Sequence, residues 1–127
     1  MSRFIIATSF VLFLSVSALS QLGRGKVVEG NRLFEEEQYD EALNKYRDAQ
    51  VHDPESPLLK FNIGDAQYKK KKYEEAIKEF ESALNTDDAR AQAETYYNLG
   101  NTLYRMGKLP ESILAYKEAL KINPDDE

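Results

Sequence analysis

The chain has 127 residues, the length of one ordinary domain. It contains no cysteine and one histidine, so disulfide bonds, cysteine-ligated zinc and multi-histidine metal sites are excluded. The formal net charge of -5 at pH 7 is the opposite of the basic surface that a nucleic-acid partner requires. We therefore expect no metal or other cofactor, no nucleic-acid partner and no small-molecule substrate.

The first twenty residues have the pattern of a secretory signal peptide. Arg3 makes the start positive, residues 4–14 form an apolar run, and small residues follow as far as Ser20. Cleavage after Ala18 or Ser20 is predicted, and with it an exported protein in the periplasm or another extracytoplasmic space. The alternatives are an uncleaved N-terminal membrane anchor, for which an 11-residue run is short, and a buried helix of the domain.

An internal repeat organises the rest of the chain. Gly30, Gly64 and Gly100 lie in the similar segments VVEGNRLF, FNIGDAQY and YNLGNTLY, at spacings of 34 and 36 residues. A second block follows each glycine and begins YDEALNKY, YEEAIKEF or LPESILAY. Apolar and small residues recur in these segments with a period of about 3.6, which is typical of amphipathic helices. The sequence therefore predicts an all-α protein in which one helical hairpin occurs three times.

The order of small, aromatic and alanine positions resembles the tetratricopeptide repeat, a helix-turn-helix unit of 34 residues. The resemblance implies a right-handed superhelix of stacked hairpins. We place the units at residues 23–56, 57–92 and 93–126, with a two-residue extension in the second, after a signal peptide at residues 1–20. The wording YNLGNTLYRMGK and AYKEALKINPDDE is also similar to exported repeat proteins of bacterial aerotolerance (Bat-type) operons, which implies membrane-protein companions.

One face of each predicted first helix carries large side chains outside the core stripe. In the third unit Tyr97, Asn101 and Tyr104 lie at i, i+4 and i+7, so they share a face. The resemblance implies that this face lines the concave wall of the superhelix. Repeated large apolar groups there predict a protein-binding surface. The predicted partner-binding residues are Asn31, Phe34, Phe61, Asp65, Tyr68, Tyr97, Asn98, Asn101 and Tyr104.

The residue types on this wall limit the kind of partner. Family members that clamp the terminal carboxylates of a peptide use Lys or Arg here, whereas this chain has Val27, Phe61 and Tyr97. Asp65 would repel a carboxylate. We therefore expect an extended or helical segment with apolar anchors, supplied by a peptide or by a domain of a membrane protein. The alternative is that the stripe packs against the ends of the chain itself.

These features predict a non-enzymatic adaptor that works in a membrane-associated complex outside the cytoplasm. The sequence offers no nucleophile–base pair and no metal constellation, so no catalytic residue is predicted. The last hairpin leaves Ile113, Leu120 and Ile122 without a covering helix. This predicts either a fragment of a longer protein or self-association through that hairpin, so a capping or dimerisation module is the alternative function.

Overall fold

A computed structural model describes residues 21–122 of the chain. This part contains six helices and no strand, which confirms the predicted all-α class. The helices are α1 (residues 21–35), α2 (Tyr39–Gln50), α3 (Pro57–Lys69), α4 (Tyr73–Ala83), α5 (Ala89–Arg105) and α6 (Leu109–Ile122). The predicted signal peptide at residues 1–20 and the end of the third predicted unit lie outside the described residues.

Each hairpin is closed by an aromatic ring that fills the space beside a glycine. A Cβ atom on Gly30, Gly64 or Gly100 would lie 2.6, 2.7 or 2.7 Å from the nearest ring atom of the second helix. Non-bonded carbon atoms prefer separations of about 3.5–4.0 Å, so any larger residue would push the helices apart. The three rings belong to Tyr46, Phe80 and Tyr116. The repeated glycine therefore sets how closely the two helices of a hairpin approach.

The core consists of two clusters, and α3 contributes to both. Leu59 and Ile63 of α3 are buried in the first cluster with side chains of α1 and α2. Phe61, on another face of α3, packs against the second cluster. This cluster includes Leu99, which is buried, and Phe80, which is fully buried. Burying a Leu, Ile or Phe side chain contributes about 1.5–3 kcal/mol. The hairpins are thus held together by apolar contacts on both sides of α3.

Local signals at the helix starts explain where α3 and α5 begin. Ser56 precedes Pro57 and accepts a hydrogen bond from the backbone N–H of Leu59 at 3.3 Å. Asp88 accepts one from the backbone N–H of Ala91 at 3.1 Å. These caps orient the two helices that, with α1, carry the predicted binding residues.

Candidate functional site

Two adjoining depressions lie across α1, α3 and α5, the first helices of the three hairpins. One of about 280 Å³ is lined mainly by α1 and α3, and one of about 250 Å³ is lined by α1, α3 and α5. Phe34 and Asp65 line both, so the depressions form one surface, which we call the groove. Its other lining residues are Asn31, Glu35, Tyr46, Asn62, Tyr68, Lys69, Asn98 and Asn101.

Most of the predicted binding residues come together in the groove. Those that line it are Asn31, Phe34, Asp65, Tyr68, Asn98 and Asn101. Phe61 is instead half-buried, with its ring centroid 5.8 Å from that of Phe80, so it mainly supports the core. Tyr97 and Tyr104 lie on α5 outside both depressions and are 56% and 60% exposed.

The rings that line the groove are also tied to the hairpin turns. The ring centroids of Phe34 and Tyr39 are 5.2 Å apart, and those of Tyr68 and Tyr73 are 5.7 Å apart. The equivalent pair in the third hairpin would join Tyr104 to position 109, which holds Leu. These packed rings are pre-oriented, which lowers the entropy lost when a ligand contacts them.

An asparagine and a tyrosine hydroxyl form the same hydrogen bond in the outer two hairpins. Tyr46 donates to Asn31 Oδ1 at 2.8 Å, and Tyr116 donates to Asn101 Oδ1 at 2.6 Å. The middle hairpin has Asp65 at the amide position and Phe80 at the tyrosine position. Since phenylalanine has no hydroxyl, Asp65 receives no such bond.

Asparagine side chains also join neighbouring hairpins across the groove. Asn98 Nδ2 of α5 donates to Asp65 Oδ1 of α3 at 2.8 Å. At the equivalent place between α3 and α1, Asn62 Nδ2 donates to Asn31 Oδ1 at 3.5 Å, a long hydrogen bond. These bonds hold the floor of the groove in one register between hairpins.

Asp65 is the acid at the centre of the groove, and its surroundings favour its neutral form. Burial raises the pKa of this carboxyl to about 6, although the hydrogen bond from Asn98 and the charge of Lys69 both lower it. Glu94 adds a smaller raising effect. Within residues 21–122 no ion pair involves Asp65. The groove therefore contains a carboxylate without a counter-ion.

Four lining residues were not among the predicted ones: Glu35, Tyr46, Asn62 and Lys69. Asn62 occupies the position equivalent to Asn98, 36 residues earlier, so the repeat itself contained the signal. Glu35 and Lys69 lie near the ends of their helices, where charged side chains are ordinary surface residues. Only the packing of adjacent hairpins brings these two charges to the groove.

Residues 21–122 contain neither a candidate metal-binding cluster nor a candidate membrane-spanning helix. Among residues 21–122 no three acidic or histidine side chains cluster as a metal site would need. None of the helices in this range is both long enough and apolar enough to span a bilayer.

The fold and the repeated glycine–aromatic contacts agree with comparisons to known proteins. Models of the tetratricopeptide repeat match residues 27–94 and residues 93–126. The chain belongs to the tetratricopeptide repeat family.

Two curated tetratricopeptide proteins show how much of a larger protein the chain covers. It is 32% identical over 99 residues to small glutamine-rich tetratricopeptide repeat-containing protein 2 of Saccharomyces cerevisiae, covering 78% of this chain and 28% of that protein. It is 29% identical over 98 residues to RNA polymerase II-associated protein 3 of Homo sapiens, covering 77% and 14%. The chain thus spans less than a third of either relative.

Solved tetratricopeptide domains confirm the superhelix. The first such domain of Spaghetti (RPAP3), bound to the HSP90 peptide SRMEEVD, has a TM-score of 0.77 and 26% identity, covering 84% of this chain and 83% of that one. The N-terminal domain of stress-induced protein-1 from C. elegans has a TM-score of 0.78 over 86% and 90% of the two chains. Its 18% identity supports the fold alone. The predicted stack of helical hairpins is therefore confirmed.

The predicted location outside the cytoplasm is wrong. Two of the relatives are named for RNA polymerase II and for the assembly of axonemal dynein, which both belong to the cell interior. A similar solved domain is bound to an HSP90 peptide. The narrower resemblance to Bat-type operon proteins is not supported either. The prediction failed because the 11-residue apolar run at residues 4–14 has a length shared by signal peptides and buried helices.

Proposed function

We propose that this chain is a non-enzymatic adaptor that binds a peptide segment of a partner protein in the groove. The observation that carries the proposal is a continuous groove across all three hairpins, floored by amide groups and bordered by aromatic rings. Binding sites of this kind combine apolar walls with a few polar groups that orient the ligand. Related domains, 26% and 27% identical to this chain, are each bound to the HSP90 peptide SRMEEVD, which supports a peptide as the occupant.

The proposed site has a floor and a rim. Asn31, Asn98 and Asn101 would hydrogen-bond the backbone of the peptide from the floor, between the rings of Phe34 and Tyr68. The exposed rings of α5 would act as apolar anchors at the rim, because tyrosine buries a large area with little loss of entropy. The unit boundaries proposed are residues 23–56, 57–92 and 93–126.

A selection experiment tests the groove. Phage-displayed random peptides would be selected on the full chain, and the Kd of each selected peptide measured by fluorescence anisotropy. We expect the double substitution Tyr97→Ala and Tyr104→Ala to weaken binding at least about tenfold, since truncating an aromatic anchor removes about 1–2 kcal/mol or more. Both side chains are over half exposed, but the ring centroid of Tyr97 lies 5.8 Å from that of Tyr116, so we expect a modest fall in the thermal midpoint with the fold retained.

A matched control and a second readout locate the site. Val51→Ala truncates a side chain that is 78% exposed and outside the groove, so it should leave peptide binding unchanged. The bound peptide should shift the side-chain amide resonances of Asn62, Asn98 and Asn101. Peptides that bind the double variant as tightly as the unmodified chain, or that shift none of these amides, would place the binding surface elsewhere.

We propose self-association through α6 as a second candidate function. Leu109, Ile113 and Leu114 are 50%, 54% and 62% exposed along this helix, and clustered exposed apolar groups mark interaction sites. We expect a concentration-dependent dimer in sedimentation equilibrium, disrupted by Leu114→Asp and retained with Val51→Asp. A monomer from micromolar to millimolar concentration would reject this candidate.

A further inference from the structure

The middle hairpin differs from its neighbours in both members of one hydrogen-bonded pair. The outer hairpins place an asparagine beside a tyrosine hydroxyl, whereas the middle one places Asp65 beside the hydroxyl-free ring of Phe80. Among the described residues, Asn98 is the one hydrogen-bond donor to the Asp65 carboxylate, at Oδ1. The Asp65 carboxylate can therefore accept further hydrogen bonds, since an ionised carboxylate has about four lone-pair sites and only one donor is present in the described part of the chain.

The charged side chains around Asp65 do not neutralise it. Lys69 lines the same depression, yet it is exposed and forms no ion pair with Asp65 among the described residues. Arg105 is also exposed, and its Nε donates to the Tyr68 hydroxyl at 3.3 Å. Glu35 lines the other depression and Glu94 lies nearby on α5, so both add negative charge. Lys69 therefore compensates the charge of Asp65 only in part, and Asp65 faces the groove without an ion-pair partner among residues 21–122.

The space beside Asp65 has the form of a side-chain pocket. The depression of about 250 Å³ is bordered by the ring of Phe34 on α1 and the ring of Tyr68 on α3, with Asn98 and Asn101 on α5. That volume corresponds to roughly eight water molecules, which is room for one long side chain. Aromatic faces attract cations and also pack against aliphatic stems.

We propose that the groove selects a partner segment with a Lys or Arg side chain whose cationic head binds the Asp65 carboxylate between the rings of Phe34 and Tyr68. This inference rests on the proposed peptide-binding function and specifies its partner. A guanidinium or ammonium group supplies the charge and the donors that the carboxylate lacks. The Asp65 carboxyl is ionised at pH 7.5 but partly desolvated, so a bound cation would stabilise a charge that the protein itself stabilises poorly.

The inference separates this chain from domains that bind acidic peptides. The HSP90 peptide SRMEEVD, bound to the related Spaghetti domains, contains two glutamates and one aspartate. Placing such a residue beside Asp65 would bring like charges together in a partly desolvated site, which is unfavourable. We therefore expect this groove to discriminate against acidic side chains at the Asp65 pocket.

The experiment compares arginine with its neutral isostere. Heptapeptide pools with blocked ends would carry Arg, citrulline or Glu at the central position and random residues elsewhere, and would be captured on the full chain at pH 7.5. Retained Arg peptides would then be resynthesised with citrulline, and both Kd values measured by fluorescence anisotropy. We expect citrulline to weaken binding about tenfold or more, because close charge pairs couple strongly across interfaces.

Two substitutions and a pH series assign the effect to one carboxylate. Asp65→Asn should reduce the difference between Arg and citrulline to less than about twofold, and asparagine already occupies the equivalent positions Asn31 and Asn101. Glu94→Gln removes a nearby exposed acid and should keep the difference. For the unmodified chain the difference should shrink as the pH falls through about 6, since the carboxyl becomes neutral.

Each outcome has one reading. An Arg preference that is lost in Asp65→Asn and kept in Glu94→Gln supports the inference. Peptides that bind with equal affinity for Arg and citrulline, or an Arg preference that survives Asp65→Asn, overturn the inference and leave the peptide groove intact. Retention of no peptide from any pool overturns the proposed function and this inference with it.

Discussion

The raised pKa of the Asp65 carboxyl makes the stability of the fold depend on pH. Burial raises its pKa in the folded protein to about 6, above the usual 3.8 of an aspartate. A carboxyl that binds its proton more tightly when folded lowers stability as the pH rises from about 4 to above 6, since the unfolded state ionises first. A residue of this kind disfavours the fold at neutral pH, which fits a functional role better than a structural one.

Replacing this carboxyl should therefore change stability in a pH-dependent way. We expect Asp65→Asn to raise the free energy of unfolding by about 1–3 kcal/mol at pH 7.5 and by much less at pH 4. Asparagine keeps the acceptor for Asn98 without carrying a charge that must be desolvated. Urea unfolding at several pH values measures the difference. An equal effect at both pH values would contradict it, and Glu94→Gln provides the exposed-acid control.

Repeated turns end the first helix of each hairpin in the same conformation. The second residue after the helix has a positive φ in all three: 61° at Glu37, 62° at Lys71 and 76° at Gly107. In each turn, the next backbone N–H donates to a carbonyl five residues earlier at 2.9 Å. This is the Schellman motif, in which glycine is favoured because other residues are strained at positive φ. Only the third turn has glycine at the position of positive φ.

The turns predict opposite effects for exchanges between lysine and glycine. Lys71→Gly should stabilise the protein by about 0.5–1 kcal/mol, and Gly107→Lys should destabilise it by about 1 kcal/mol, because only glycine adopts this φ without strain. Thermal unfolding should show shifts of about 4–8 °C per kcal/mol for a domain of this size. Lys78→Gly is the matched control: this exposed lysine lies inside α4, so glycine should destabilise the helix there. A loss of stability with Lys71→Gly would show that Lys71 is not strained at its positive φ.

The periodicity of apolar residues did not predict where α5 begins. The two-residue extension of the second predicted unit was placed at the junction before the third. In the structure α5 has 17 residues against 13 in α3, because it begins at Ala89 with Asp88 as its cap. The segment ARAQA has residues that favour helix, and a capping aspartate was enough to extend it by a turn. Local propensity allowed a loop or a helix, and the cap decided between them.

At the scale of the whole molecule, the groove exists only because three hairpins stack. Its lining comes from all three, and the bond from Asn98 to Asp65 joins the second to the third. One hairpin alone would contain only some of the rings and amides of the site, with no pocket between hairpins. The exposed apolar residues of α6 also depend on the stacking, since the packing of the hairpins determines which helix faces are covered.

The repeat, the all-α class and the grouping of most of the predicted binding residues followed from the sequence because a helix imposes a fixed period on its side chains. Position on a helix face does not determine burial, which depends on how closely the neighbouring hairpin packs. Phe61 and Tyr97 occupy equivalent positions, and each ring centroid lies 5.8 Å from that of an aromatic ring on the second helix, yet Phe61 is half-buried and Tyr97 is 56% exposed. The pKa of Asp65 likewise depends on side chains from adjacent hairpins, which remove water from around its carboxylate.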